Sequence, residues 1–324
     1  MITWGLVGNS HDASLAVFSN NELQWAALAK DFSGVPNDPH LNSKMVKYAL
    51  DHWGGPSTAV WYERPFLKTL RQWRAGQGWL LKENNIRSYL DNYIGYRLPI
   101  KYTQHHHSHA AYAYYTQPHN DCAVICLDSI GEFETLTVWH GKNNRLEKIY
   151  SQGYPHSLGL FYSAMTQRMG LVPQRDEYLV AQWAKQGDPR RLSHLMREEI
   201  INVDHTYKKH TLVKMRENLH RGCMWWRPEL QSQQDMYDIA AATQAIFVYA
   251  VNVLSVWAKV QTNSPNLALA GGGALNREAV NSLAPQWNNI WVPKNPGDPG
   301  SCIGAVLART RTKTNIDKAW HVSI

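Results

Sequence analysis

Residues 2–29 read ITWGLVGNSHDASLAVFSNNELQWAALA, and residues 122–151 read CAVICLDSIGEFETLTVWHGKNNRLEKIYS. Each stretch is an apolar run, a polar acid-bearing loop, a second apolar run, an Asn-Asn pair and a third run. Gly8 aligns with Gly131, and Asn20-Asn21 with Asn143-Asn144, without a gap. Self-similarity at this scale predicts a repeated structural unit. The runs are short and separated by turn residues, which predicts three antiparallel strands per unit. Asn tolerates positive φ, so each Asn-Asn pair predicts a tight hairpin turn.

Helical patterns follow each unit: LNSKMVKYALDHW, FLKTLRQW and a His-rich segment after the first, and SLGLFYSAMTQRMG, DIAAATQAIFVYAVNVLSVWAKV and NREAVNSLA after the second. NLALAGG and NIWVPK read as strands between the later helices. Two facing βββαβα-like lobes describe an α/β architecture of the actin-like, ribonuclease-H-like ATPase type, in which the two acidic loops converge on an interlobe cleft. The turn Gln117-Pro118-His119-Asn120 predicts a division into residues 1–120 and 121–324.

Chemistry-bearing residues sit where this fold would expose them. Residues 104–115 read QHHHSHAAYAYY. His105 and His109 are four apart, so a helix places them on one face, where two imidazoles can grip one metal ion. In the loop Asp128-Ser129-Ile130-Gly131-Glu132, an Asp at a strand end before a glycine turn is placed to touch a metal or phosphate. ALAGGGALNRE (268–278) is strand, triple glycine, helix. Gly271, Gly272 and Gly273 allow close backbone approach to a ligand, and Asn276 can cap the helix or bond a nucleotide; a plain tight turn is the simpler alternative. Asp298 precedes Pro299 at a helix start, as a cap or as a carboxylate ligand. His11, in the first acidic loop, has the side chain suited to acid, base or oxyanion work.

The chain has 324 residues, 44% hydrophobic, enough for one large domain or two lobes. No apolar run is expected to reach bilayer-spanning length, and the start MITWGLVGNSHD lacks the pattern of a secretion signal, so a cytoplasmic protein without membrane association is the expectation. Cys122, Cys126, Cys223 and Cys302 read as buried free thiols. The net charge of +7 favours anionic partners. Several of the fourteen tryptophans adjoin basic residues: Trp73-Arg74, Trp79 near Lys82, and Trp225-Trp226-Arg227. Within KKHTLVKMRENLHRGCMWWRPEL (208–230), Arg216, Arg221, Trp225, Trp226 and Arg227 could hold phosphates and stacked bases; a solvated basic helix and loop is the alternative.

Taken together, GNSHDASLAV, HHHSHAAYAYY, LDSIGEFETLTV, YPHSLGLFYSAMTQRMG, IAAATQAI, LALAGGGALN and NPGDPGSCIGAVL resemble the NodU-type O-carbamoyltransferases, in that family's order and over nearly the whole chain. More distantly they are similar to the tRNA threonylcarbamoyl-adenosine transferases. The resemblance implies an actin-like fold with a mononuclear metal, most often iron, with manganese or zinc as alternatives, held by His105, His109, Asp128 and Asp298. It implies further that His106 is a second functional histidine, that His11 and Asp12 lie near the carbamoyl group and acceptor, and that Glu177, Gly131, Glu132, Gly271 to Gly273 and Asn276 line a site for ATP or carbamoyl-adenylate. His107 stands where the family has an apolar residue and inherits no role. The chain departs from the family pattern in ALAKDFSGVPNDPH, where Lys30 is the nearest remaining base, and at Glu177-Tyr178-Leu179, where the family has a lysine. Typical members also carry a C-terminal domain that makes carbamoyl-adenylate from carbamoyl phosphate and ATP. The chain ends before such a domain, so either a separate adenylate-forming protein or direct use of carbamoyl phosphate is expected.

The function expected is therefore metal- and nucleotide-dependent O-carbamoyl transfer, with a 5-hydroxymethylpyrimidine in DNA or nucleotide as acceptor. The alternatives are a small-molecule hydroxyl, a threonylcarbamoyl transferase-like subunit, or a non-catalytic nucleotide-binding subunit.

Overall fold

A computed structural model describes residues 1–78, 84–206 and 211–321. Trp79, Lys82 and residues 208–210 of the basic stretch lie outside the described residues.

The first repeat forms the antiparallel meander β1 (Ile2–Val7), β2 (Ser14–Ser19) and β3 (Glu22–Leu28). After α1 (Lys30–Ser33) and α2 (Ser43–Trp53), β4 (Thr58–Trp61) joins parallel to β1. Then come α3 (Pro65–Arg74), α4 (Ile86–Asp91) and β5 (Ile100–Tyr102), which lies parallel to β4. The His-rich segment is α5 (His105–Thr116). The second repeat is the meander β6 (Asp121–Leu127), β7 (Glu134–Lys142) and β8 (Arg145–Gly153). It continues through α6 (Leu158–Arg168), α7 (Glu177–Trp183), α8 (Pro189–Glu199), β9 (Ile201–Val203), β10 (Val213–Met215) and α9 (Gln233–Thr262). β11 (Asn266–Ala270), α10 (Arg277–Ser282), β12 (Asn289–Trp291) and α11 (Ser301–Thr310) complete it.

The sheet orders are β3-β2-β1-β4-β5 and β8-β7-β6-β11-β12, the same topology twice. This is the duplicated actin-like α/β fold that the repeat predicts. Both Asn-Asn pairs are left-handed at both residues, with φ of 50° and 68° at Asn20 and Asn21 and 49° and 60° at Asn143 and Asn144, the backbone of a two-residue hairpin turn.

Strand β6 divides the interior. Cys122, Val124 and Cys126 face the core shared with the first sheet, α5 and α11, whereas Ala123, Ile125 and Leu127 face the core under α6 and α9, as the two-residue period of a strand requires. All four cysteines are free and buried. Helix α5 is buried at every position except His107, which explains its run of alanines and tyrosines. Helix α11 crosses back to lie against α5 and β1, and residues 319–321 pair with Ala26 at the edge of the first sheet.

Two sequence expectations need correction. Helix α9 is long and apolar enough to cross a membrane, contrary to the reading that no run approaches that length. Most of it is buried against α6, α7, α8 and β6, so its apolar character serves the core of the second half. Residues 213–215, read within a basic helix-and-loop stretch, form β10, which pairs with β9.

The contact of α11 with α5 and β1 depends on missing side chains. A Cβ on Gly304 would lie 1.9 Å from the Ser108 carbonyl oxygen, and one on Gly5 would lie 1.8 Å from that of Cys302. Backbone cannot yield as a flexible side chain can, so Gly304→Ala must push the helices apart. We expect a loss of about 1–3 kcal/mol or more in denaturant melts; an unchanged midpoint would refute this packing.

Candidate metal centre and interlobe cleft

The strand ends of both sheets lead to one place. The loop after β1 carries Ser10, His11 and Asp12; β4 runs into Tyr62 and Glu63; β6 ends at Asp128; and β11 ends at the glycine turn. Open α/β sheets bind ligands at the carboxyl ends of their strands for this reason.

At that place four side chains converge. His105 Nε2 lies 2.9 Å from Asp128 Oδ2 and 3.3 Å from Asp298 Oδ1. His109 Nε2 lies 3.0 Å from His105 Nε2 and 3.4 Å from Asp298 Oδ1. One ligand atom from each of the four falls within 4.8 Å of all the others. The two histidines come from one face of α5, Asp128 from the end of β6, and Asp298 from the turn that starts α11.

Neighbouring groups fix these side chains from behind. Ser10 Oγ donates to Asp298 Oδ2 at 2.7 Å. Ser301 Oγ lies 3.3 Å from His109 Nδ1. His105 Nδ1 faces Glu63 Oε2 at 3.9 Å, and Lys68 donates to Glu63 at 2.7 Å. With Nδ1 of both rings turned to these partners, the Nε2 atoms are left pointing at each other. The start of α5 has no side-chain cap of its own; instead the Glu132 carboxylate accepts from the His105 N–H at 3.1 Å and the Arg64 N–H at 2.8 Å. Gly131 lets this loop lie flat on His105, since a Cβ there would be 3.0 Å from the ring. Ser10, Glu63 and Ser301 escaped the sequence reading. Glu63 carried a signal, because it follows β4, the strand beside β1.

The electrostatics call for a cation. The buried Asp298 and the half-buried Asp128 set two carboxylate charges side by side with little access to water, which is unfavourable unless compensated. In the metal-free protein a proton compensates. Burial opposes protonation of His105, but Asp298, Asp128 and Glu63 outweigh it and hold its pKa well above the usual histidine value. Burial likewise works against ionised Asp298 and Asp128, yet the histidines hold both low, Asp128 at about 2. A divalent ion would neutralise the set, and mixed nitrogen and oxygen donors suit iron, manganese or zinc.

The other expected residues distribute as follows. His11 borders the cluster with its side chain 40% exposed, and its Nδ1 is 3.9 Å from Asp12 Oδ2. Pairing with Asp12, then the charges of Asp298 and Asp128, raises its pKa to about 9 against the opposing effect of burial. Asp12 is left-handed at φ 57°, its Oδ1 is buried without a hydrogen bond, and Lys30 Nζ stands 3.8 Å away. His106 is not part of the cluster: it is fully buried, bonded to Thr137 Oγ1 at 3.0 Å, and burial drops its pKa to about 3.

Gly271, at φ 85°, and Gly273 are explained by the approach of their turn to Leu127, while the exposed Gly272 directs its N–H toward Asp128 Oδ1 at 3.5 Å. Asn276 caps α10 through Ala279 N and exchanges two hydrogen bonds with Gln244, whose Oε1 also accepts from Tyr162. Glu177 starts α7 and accepts from Ser163 Oγ at 3.0 Å.

The expected nucleic-acid residues do not act as one surface. Trp226 is buried at 2% exposure with its N–H on Glu199, so its faces are closed to base stacking. Arg227 pairs with the same Glu199. Arg216, Arg221 and Trp225 are exposed. Arg221 meets Arg74 across a cavity of about 490 Å³ walled by Phe133, Tyr154 and His220.

Three outcomes follow from this geometry. Loading metal-free protein with a divalent ion should raise its melting temperature, by an amount that grows with pH through the neutral range as the His105 proton is displaced. Ser10→Ala should weaken metal affinity by about 10–100-fold, read by competition with a chelator. In metal-free protein the His11 ring should titrate near pH 9 by NMR and shift down on metal loading. Its stabilising contribution is complete below the ordinary histidine value and is lost as pH rises through about 9; with this much exposure, water screening keeps it small. A ring that titrates at the ordinary value in metal-free protein would contradict this arrangement.

The chain is similar to several known proteins. An uncharacterized protein of Synechocystis sp. is 26% identical over 344 residues, covering 94% of this chain and 56% of its own length. Nodulation protein NolO of Bradyrhizobium diazoefficiens is 26% identical over 205 residues, covering 63% of this chain and 37% of its own. The chain thus spans about half the length, or less, of these curated relatives. Among solved structures, full-length HypF in the phosphate- and nucleotide-bound form superposes with a TM-score of 0.53 at 13% identity over 98% of this chain and 56% of that one, a likeness of fold alone. Residues 10–307 match the family described as Carbamoyltransferase N-terminus, which takes in both acidic loops, the His helix and the Asp298 turn, and the chain belongs to that family.

Proposed function

We propose that the protein transfers a carbamoyl group to an acceptor hydroxyl at the interlobe cleft, with a divalent metal held by His105, His109, Asp128 and Asp298. The convergence of those four ligand atoms within 4.8 Å carries this reading, and membership of a carbamoyltransferase family supports it. A bound divalent ion supplies Lewis acidity and a template for a phosphate oxygen of the donor. The donor is carbamoyl phosphate or its adenylate, and the exposed Gly272, whose N–H points toward Asp128, supports a donor site beside the metal ligands.

The remaining steps belong to the chain. The acceptor oxygen bonds to the carbamoyl carbon as the bond from that carbon to the donor phosphate oxygen breaks, and phosphate or AMP departs with the electron pair. His11, between the cluster and open cleft, donates a hydrogen bond to the oxyanion that develops on the carbonyl. The hydroxyl proton passes to the carboxylate of Asp12, which stands beside His11.

The acceptor is a phosphate-bearing ring compound, with a 5-hydroxymethylpyrimidine nucleotide or its DNA as the specific case. The cavity between Arg74 and Arg221 supports this, since it joins two cations to the aromatic walls of Phe133 and Tyr154, and Phe133 directly follows Glu132 of the metal-side loop.

Mass spectrometry of hydroxymethylcytosine nucleotide and DNA, each incubated with protein, carbamoyl phosphate, ATP and Fe²⁺, tests the proposal. A gain of one carbamoyl group, absent with His109→Ala and reduced at least tenfold in kcat/KM with Arg221→Ala, is expected. No gain on either acceptor would overturn the acceptor assignment, and a gain that survives His109→Ala would overturn the metal centre.

A further inference from the structure

His107 takes no part in the metal centre. Two residues from His105 and two from His109, it lies on the far side of α5, where its ring stacks on Trp139 with centroids 5.1 Å apart and planes 16° apart. It faces a separate cavity of about 300 Å³. That cavity is formed where β5 runs into α5, at Tyr102 and Gln104, with Arg64 from the start of α3 and Arg309 and Arg311 from the end of α11. Two chain segments far apart in sequence thus bring three arginines to the lining of one cavity.

None of these guanidinium groups has a hydrogen bond or ion pair among the described residues. The carboxylates at hand are committed elsewhere. Glu132 bonds the backbone N–H groups of Arg64 and His105, and Glu134 holds Lys148 at 2.6 Å and Ser151 at 2.5 Å. Three like charges at one cavity, none paired with a carboxylate of its own, repel each other, and such a set is poised for an anion. The arginine fork matches the oxygens of a phosphate in paired hydrogen bonds. Arg311 moreover ends α11 in the left-handed conformation, φ 56°, where glycine would fit with less strain.

We infer that this cavity is a binding site for a phosphate group, free or terminal on a nucleotide, separate from the metal centre. Arg64, Arg309 and Arg311 bind its oxygens and His107 closes its inner wall. The inference does not depend on carbamoyl transfer. It extends the chain's anion chemistry to a second place, on the opposite face of the helix that bears the metal ligands.

Calorimetric titration of metal-free protein with inorganic phosphate, against chloride at equal ionic strength, tests it. Saturable phosphate binding is expected in the wild type and in His109→Ala that is folded by its melting curve. Arg311→Gly and Arg64→Gln should each weaken it about tenfold or more, with Arg311→Gly melting no lower than wild type because glycine relieves the left-handed backbone. A parallel titration with AMP separates the sources. Tighter binding than phosphate with the same sensitivity to both arginines assigns the site to a nucleotide, and equal or weaker binding assigns it to free phosphate. Absence of saturable binding, binding indifferent to both arginine changes, or binding lost in folded His109→Ala would each overturn the inference.

Discussion

Asp298, buried, and Asp128, half-buried, meet although they come from segments 170 residues apart, and this juxtaposition of like charges is the constraint around which the molecule is organised. Two carboxylates out of water are tolerated only when positive charge stands between them. His105 and His109 stand there, and a proton on His105 or a bound cation balances the charge. The surrounding groups follow from the same need: Ser10 fixes Asp298, Ser301 fixes His109, and Glu63 with Lys68 stands behind His105.

Holding the set requires rigid supports. Helix α5 is buried on nearly all sides, so its histidines cannot drift, and α11 lies so close to it that glycine is the only residue accommodated at Gly304. Asp298 is carried in the short turn that leads into α11. A shift of that helix would therefore move a ligand, and core packing and site geometry are one problem. The duplication supplies the other supports: each sheet presents the end of its first strand, with an acidic loop, to the same cleft.

Much of this was legible in the sequence because it rests on local rules. Strand alternation, the Asn-Asn turns and the four-residue spacing of His105 and His109 depend only on neighbours along the chain. The triple glycine was legible as a turn, yet its reason was not, since Gly271 and Gly273 answer to the approach of Leu127 from another strand. The basic stretch was misread in part for a similar cause. Trp226 and Arg227 look like an exposed stacking pair, but Glu199, at the end of α8, takes both. Glu63 and Ser301 gained their places only when the chain folded back, and α9 was underestimated because its polar residues interrupt an otherwise apolar helix that the second half buries.

X-ray absorption at the metal edge of zinc-loaded protein tests most directly whether these four side chains form one metal centre. The account predicts a single light-atom shell near 2.0–2.2 Å with outer-shell scattering from two imidazoles and no sulfur, and loss of one imidazole in His109→Ala. A sulfur shell, or an imidazole signal that His109→Ala leaves unchanged, would contradict it.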